Sequence, residues 1–340
     1  MTRPVGWGVV GCGWVARDYV LPALRATPGA RLVGVHDPDP EAAAGTGART
    51  TVHLDELLEL RGLDAVYVAT PNDAHAGVVA AAVARGVAVL CEKPLAHDVA
   101  DARAAVAACR ATGVVAGTAF DQRFHPAHQR ISRLVAQGAL GTVTAVRIVY
   151  GCWLPPGWSP DGRHHDNWRV DPARAGGGAG MDLAPHGVDL VGALVGEDLT
   201  ELVAIPRRRV HRYAVDDGTV LAGATPNGVL ASLHVSYATP DALPRRRLEV
   251  VGTAGQLVAL DTMGQTPGGS LTFLDAGGGA AEAIGFDPLT GPFDGQLAAF
   301  TAAVAGTAEW AWPIERDLLL HELLVTALAA PTAEKVLTCP

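Results

Sequence analysis

Through the first 120 positions, short runs of consecutive apolar residues alternate with amphipathic stretches. Runs such as AVYVAT (65–70) and VAVLC (87–91) suit strands buried on both faces, and the stretches between them repeat apolar residues at helical spacing. That alternation is the signature of βαβ units around a parallel sheet. It predicts strands at 6–10, 31–36, 65–69, 87–91 and 114–120, and helices at 15–26, 55–61, 74–85 and 99–112. Asp55, Asp73 and Asp98 stand where helices open and read as caps.

Beyond about residue 123 the period shortens. VLASLHVSY (229–237) places Val229, Ala231, Leu233, Val235 and Tyr237 on one face and Ser232, His234 and Ser236 on the other, as in a sheet with one buried side. Further strand patterns at 142–150, 201–209, 218–224, 246–252 and 256–261 predict a mainly antiparallel second sheet. Helices expected at 126–137, 295–305 and 314–329 would cover one face and leave the other for a partner subunit. The Gly-rich stretch 263–292 reads as a long loop. The expected fold class is therefore α/β, with an N-terminal Rossmann doubly wound parallel sheet and a C-terminal α/β domain built on a large, mainly antiparallel open sheet. The expected domains are 1–123 and 124–340.

Composition narrows the class. The chain is 49% hydrophobic over 340 residues, yet its apolar runs are broken well before the roughly 18 residues that span a bilayer. The opening MTRPVGWGVVGCGW has no signal-peptide core, so the expectation is a cytoplasmic protein that does not enter a membrane. Cys12, Cys91, Cys109, Cys152 and Cys339 form no Cys-x-x-Cys pair and suggest neither disulfides nor a zinc knuckle. A net charge of −9 argues against a nucleic-acid partner. The triplets Arg207-Arg208-Arg209 and Arg245-Arg246-Arg247 read as solvated strand ends or interface residues.

Gly11-x-Gly13-x-x-Ala16 lies directly after the first strand and at the mouth of the first helix. Glycines there let the backbone turn tightly and approach a pyrophosphate, which the N–H groups of the helix end stabilise; Trp14 and Val15 share that loop. A tight turn without a ligand would use the same residues. The next strand, RLVGVHD, ends in Asp37, at the spacing where a carboxylate meets an adenosine ribose. Asp37 followed by Pro38 repels a 2′-phosphate without an offsetting cation, so NAD is expected over NADP.

Ligands of doubly wound sheets lie across the carboxyl ends of the strands. Thr70, Pro71, Asn72 and His75 follow one such end, and Glu92, Lys93 and Pro94 follow its neighbour, bordering the nicotinamide half of the cofactor. Turns and caps use the same residue types, and a surface lysine is the bland reading of Lys93. Beside a cationic nicotinamide, partial burial favours the neutral amine, which suits exchange of a hydroxyl proton, with Glu92 orienting it.

With EKP after the strand 87–91 and GVVGCGWVA upstream, the chain resembles the Gfo/Idh/MocA oxidoreductases. FDQRFHP (120–126) is similar to that family's domain junction, and GGGAGMDLAPHGVDLV (176–191) to its Gly-rich loop and Asp-x-x-x-His-x-x-Asp pattern. The resemblance spans nearly the whole chain. It implies an NAD-binding first domain, a second domain for substrate and oligomerisation, and Lys93, Asp182 and His186 as the catalytic set. Asp121 departs from the Asn of many relatives and would receive a positively charged substrate. Asp121, Arg123, His165 and Asp166 are expected to face substrate together with Asp182 and His186, while Trp168 and Arg169 border nicotinamide or substrate.

Asp182 and His186 stand four apart, placed by the pattern in the first turn of a helix where Pro185 is tolerated. The helix N-terminus would keep His186 neutral and able to accept a proton. Asp182 either caps the helix, orients a sugar hydroxyl, or does both; Asp189 reads as an anchor. No metal is expected, since His164, His165 and Asp166 are adjacent residues that point apart. Residues 1–123 hold 11 Lys/Arg against 13 Asp/Glu, and 124–340 hold 15 against 22, so the second domain carries −7 of the total. An acidic cleft gathers a cation, which makes an amino sugar a candidate substrate. The stretch 167–187 also resembles dehydrogenases of aminoglycoside antibiotic pathways. A neutral-sugar or inositol dehydrogenase would share every motif, and a non-catalytic NAD-binding regulator would share the cradle. A homodimer or homotetramer through the C-terminal sheet is the expected assembly.

Overall fold

A computed structural model describes residues 3–160 and 167–330. Two compact units divide the chain, one running up to Phe120 with Phe293–Leu319 added, the other comprising Asp121–Pro292 and the chain from Leu320 onward. No helix among the described residues is long and apolar enough to cross a membrane.

In the first unit, strands β1 (Val5–Val10), β2 (Ala30–His36), β3 (Thr50–Thr51), β4 (Ala65–Val68), β5 (Ala88–Cys91) and β6 (Ala116–Thr118) form a parallel sheet ordered β3-β2-β1-β4-β5-β6. Strand order reverses at β1, between β2 and β4, and this is the switch point where doubly wound sheets bind ligands. β1, β4 and β5 are buried throughout, as their unbroken apolar runs require. Asp98 caps the helix Val99–Thr112, accepting the Asp101 N–H at 2.8 Å. Asp55 instead lies in the first turn of Leu54–Leu58, whose N-cap is His53, and Asp73 lies inside the short turn Asn72–Ala74.

The helix Pro292–Val304 departs from expectation: it belongs to the first unit and does not cover the second sheet. Trp7 on β1 supplies the reason. Its ring is fully buried, lies 5.6 Å from Phe300 and donates Nε1–H to Thr301 Oγ1 at 3.1 Å. An indole buried on a sheet face needs both an apolar lid and an acceptor, and this helix provides both.

The second unit carries β7 (Val143–Gly151), β8 (Glu201–Arg207), β9 (Gly218–Ala224), β10 (Leu230–Ser236), β11 (Arg246–Gly252), β12 (Gly255–Leu260), β13 (Ser270–Asp275) and β14 (Glu282–Ala283). They run in the order β14-β13-β12-β11-β7-β10-β9-β8, antiparallel except for the central β7–β10 pair. β13 and β14 thus extend the sheet through the stretch expected to be a loop. The alternation along β10 holds, with Ala231, Leu233 and Val235 buried. Against that face packs the helix Ala179–Val195, so closely that a Cβ on Gly187 would come within 2.5 Å of the Leu233 side chain.

Candidate functional site

The nucleotide cradle of the first unit is built by backbone. Gly11 closes β1 with φ of +89°, and a Cβ there would lie 2.6 Å from the Ala69 carbonyl oxygen, so no other residue fits. A Cβ on Gly13 would meet nothing within 4 Å, which leaves the loop open to a ligand. Behind it Ala16–Val20 forms a π-helical turn that continues as the helix Leu21–Ala26, and no side chain caps its N-terminus at Val15. π-Turns recur at functional sites. Trp14 packs edge-on against Tyr19. Asp37 follows β2, and its carboxylate accepts the N–H groups of Cys12 (2.8 Å) and Asp39 (2.9 Å), which ties the end of β2 to the Gly-rich loop. These features fit a dinucleotide: an open glycine approach, uncapped helix N–H groups and a fixed carboxylate.

At the neighbouring strand ends, Thr70 Oγ1 is buried without a hydrogen-bond partner among the described residues. Asn72 is buried in the turn after Pro71. His75 is fully buried, and both ring nitrogens meet backbone carbonyls, Nδ1 at Pro94 (2.9 Å) and Nε2 at Thr70 (3.0 Å). Burial pushes this imidazole down to about 4. It ties one strand end to the other, and neither nitrogen is left for the ribose or carboxamide. Glu92 accepts the hydroxyl of buried Tyr67 at 2.6 Å and the Lys93 backbone N–H at 3.3 Å, holding the half-buried Lys93 at the carboxyl end of β5 before a cis Lys93–Pro94 bond.

In the second unit, the helix carrying Asp182 and His186 begins earlier than the pattern suggested, at Ala179 after Gly178. Its cap comes from a distant loop: Asp216 accepts the N–H groups of Gly178 (2.9 Å) and Gly180 (2.8 Å) and the Thr219 hydroxyl (2.8 Å). A Cβ on Gly178 would lie 2.0 Å from the Asp216 carbonyl oxygen, which is why this loop needs its glycine. Three corrections follow. Asp182 does not cap the helix; it accepts the buried Tyr237 hydroxyl at 2.8 Å. Pro185 lies in the helix interior, where it removes the N–H that would bond the Met181 carbonyl. His186 sits two turns in, beyond the first turn where the helix dipole acts, so the N-terminus does not govern its charge.

His186 is buried and faces the short turn Asp121–Phe124. Its Nδ1 lies 3.2 Å from Asp121 Oδ1, in contact though off hydrogen-bond alignment, and its Nε2 is buried without a partner among the described residues. The Tyr150 ring stands edge-on to the imidazole at 5.7 Å. Arg123, expected to face substrate, is taken up by Asp189: Nε lies 2.8 Å from both carboxylate oxygens, and the pair is almost completely buried. The Arg169 guanidinium lies over the rings of Trp168 (4.6 Å) and Trp158 (5.4 Å). Burial pushes the Cys152 thiol up to about 12, with Asp182 adding to the shift and Arg245, Arg246 and Arg169 opposing it, so this cysteine is no nucleophile. His164, His165 and Asp166 lie outside the described residues. Among those described, the group of side chains close enough to share a metal ion is His97, Asp98 and Asp101, and it includes neither Asp182 nor His186.

Arg246 is the site residue that the sequence reading missed. Its guanidinium lies 5.9 Å from the centre of the Tyr150 ring, and its Nε is buried without an acceptor among the described residues. The signal was parity: Arg246 shares a strand face with the buried Leu248 and Val250, whereas Arg247 pairs outward with Glu249.

A parallel sheet with an open glycine cradle at its switch point, and a mainly antiparallel sheet bearing a buried histidine whose ring nitrogens make no aligned hydrogen bond among the described residues, suit a nucleotide-dependent oxidoreductase. Residues 5–120 match the family model described as "Oxidoreductase family, NAD-binding Rossmann fold", and residues 128–258 match the GFO/IDH/MocA C-terminal domain. The chain belongs to the GFO/IDH/MocA family of oxidoreductases. It is 34% identical over 338 residues to a 1,5-anhydro-D-fructose reductase of Ensifer adhaerens, covering 95% of this chain and 97% of that one. A solved oxidoreductase domain protein of Kribbella flavida superposes with a TM-score of 0.83 at 26% identity, covering 98% of each chain. KijD10, a 3-ketoreductase from Actinomadura kijaniata solved with NADP and TDP-benzene, gives a TM-score of 0.80 at 25% identity over 95% of this chain and 96% of that one.

Proposed function

We propose that this enzyme interconverts a secondary hydroxyl of a sugar and the corresponding ketone, using a pyridine nucleotide. The observation that carries the reading is His186: a buried imidazole whose Nε2 has no partner among the described residues is placed to exchange a proton with a ligand. Gly11, Gly13, Val15, Ala16, Asp37, Thr70 and Asn72 would hold the nucleotide, which when bound supplies the hydride acceptor or donor. Asp37, followed by exposed Pro38, favours NAD over NADP, because its carboxylate would oppose a 2′-phosphate. Lys93, held through Glu92 and Tyr67, and His186 are the proton-handling groups; the Arg246 Nε–H donates to a substrate oxygen; Asp182, with Tyr237 behind it, orients a second hydroxyl.

A neutral sugar fits this set better than an amino sugar. The carboxylates that would receive an ammonium are engaged, Asp121 against His186 and Asp182 with Tyr237, and Arg246 adds fixed positive charge. The acidic excess of residues 124–340 is what favours an amino sugar. Absorbance at 340 nm across neutral sugars, cyclitols and aminoglycosides, with each nucleotide, tests both readings. Lys93→Ala should lose most turnover while still binding nucleotide; a variant that turns over normally overturns the assignment of Lys93. Amino-sugar turnover that falls steeply with salt, with no turnover of neutral sugars, would reverse the substrate preference.

The outward face of the second sheet exposes Val149, Val203, Val220, Leu230 and Leu260, and we assign it to a second copy of the chain. Sedimentation velocity checks this: a monomeric wild type, or unchanged assembly in Val220→Glu, refutes it.

A further inference from the structure

We propose that Asp121 is a positioning residue for His186: its carboxylate holds Nδ1–H, so that Nε2 presents its lone pair to the substrate hydroxyl. The proposal rests on the sugar oxidoreductase reading above and gives Asp121 a task other than receiving a cationic substrate. Asp121 Oδ1 lies 3.2 Å from His186 Nδ1, and both side chains are about 3% exposed. The carboxylate is itself held, since Gln122 Nε2 donates to Asp121 Oδ2 at 2.9 Å and to the Gly264 carbonyl at 2.8 Å, while the Gly264 N–H returns to Gln122 Oε1 at 3.2 Å. A carboxylate fixed in this way accepts from whichever imidazole nitrogen faces it, and a neutral imidazole has one proton to give.

The groups packed around the ring leave this task to Asp121. On the histidine's own helix, Asp182 accepts from Tyr237 and Asp189 is neutralised by Arg123. From β7, Tyr150 presents its ring edge, and burial pushes its phenol up, so it brings no negative charge. From β11, Arg246 lies over Tyr150. From the turn that carries Asp121, His125 is pushed down to about 4 by burial and stays neutral. Among the described residues, Asp121 is thus the carboxylate in contact with the imidazole. As alcohol is oxidised, the carbinol C–H bond breaks with its hydride going to the pyridine nucleotide, and the hydroxyl O–H bond breaks with its proton going to Nε2; the Nδ1–H bond beside Asp121 stays intact.

Asp121→Asn and Asp121→Ala in the full-length enzyme test the proposal, with circular dichroism confirming the fold. Losing the carboxylate leaves the ring free to take either tautomer, so Asp121→Asn should slow transfer of the hydroxyl proton. It should lower kcat about tenfold and leave KM within about twofold. Asp121→Ala, which cannot accept the proton at all, should lose more. Independently of turnover, long-range proton–nitrogen correlation spectra of histidine-labelled protein, with His186→Gln identifying the resonance, should show Nδ1 protonated in the wild type and a tautomer mixture in Asp121→Ala. A wild-type ring protonated at Nε2 overturns the proposal, as does an Asp121→Asn enzyme with unchanged kcat. Absence of turnover with every sugar and nucleotide would refute the functional reading instead, and the tautomer would then decide the role of Asp121 alone.

Discussion

Replacing Arg123 by Met separates two roles that the sequence alone could not. The Arg123 guanidinium and the Asp189 carboxylate are 1% and 0% exposed, joined by Nε at 2.8 Å to both oxygens and by a terminal nitrogen to one. Removing the cation strands a carboxylate in the helix that carries His186, a loss of about 3–5 kcal/mol for a buried pair broken on one side. At roughly 2–4 °C per kcal/mol for a unit of this size, melting should fall by about 10 °C. Replacing both residues together, Arg123→Met with Asp189→Leu, should recover most of that loss, because apolar residues of similar volume need no desolvation of charge. Differential scanning calorimetry of the two single variants and the double variant, beside KM for the sugar, makes the decision. If Arg123→Met melts within about 2 °C of the wild type while KM rises tenfold, the residue faces substrate and the structural assignment fails.

Gly13→Ala should melt within about 1 °C of the wild type, because the added methyl meets no protein atom, yet bind nucleotide at least tenfold more weakly in isothermal titration; unchanged affinity would remove Gly13 from the cradle. Arg246→Met should raise KM for the sugar by about tenfold or more, the range for losing a charge-assisted hydrogen bond, with nucleotide affinity unchanged; an unaltered KM would refute its assignment. His75, neutral in the fold with its pKa lowered to about 4, binds a proton more readily when unfolded, at about 6.5. Its contribution is therefore complete above about pH 6.5 and is lost as pH falls toward 4, by about 3 kcal/mol. Urea unfolding at pH 7 and 5 should show His75→Gln losing less stability on acidification than the wild type, and equal losses would refute this.

How much of this was legible in the chain depended on sequence distance. Continuous apolar runs gave away β1, β4 and β5, since a strand buried on both faces admits little else, while β3, only Thr50–Thr51, is too short to leave a pattern and was missed. The period of two marked β7 to β12 for the complementary reason. Glycine content hid β13, although Leu271 and Phe273 keep the alternation there. Helical periodicity identified the segment around 292–304 but not its destination, which Trp7 decides from nearly 300 residues away. The placement of Asp182 and His186 on one helix was readable because they stand only four residues apart. Asp121 against His186, Arg123 with Asp189, and Arg246 beside Tyr150 each join residues more than 60 positions apart, and no local pattern encodes such pairs. The cap of the Ala179–Val195 helix was misplaced for the same cause, because Asp216 rather than a local residue supplies it.

That borrowed cap reaches beyond the end of the helix. Because the Asp216 carboxylate pegs Gly178 and Gly180, whatever reshapes the turn before β9 also sets the depth at which the imidazole two turns further along is seated. Sequence changes around 208–217 should therefore surface as altered proton transfer before they surface as unfolding, and redesign of that turn must keep its carboxylate where it is.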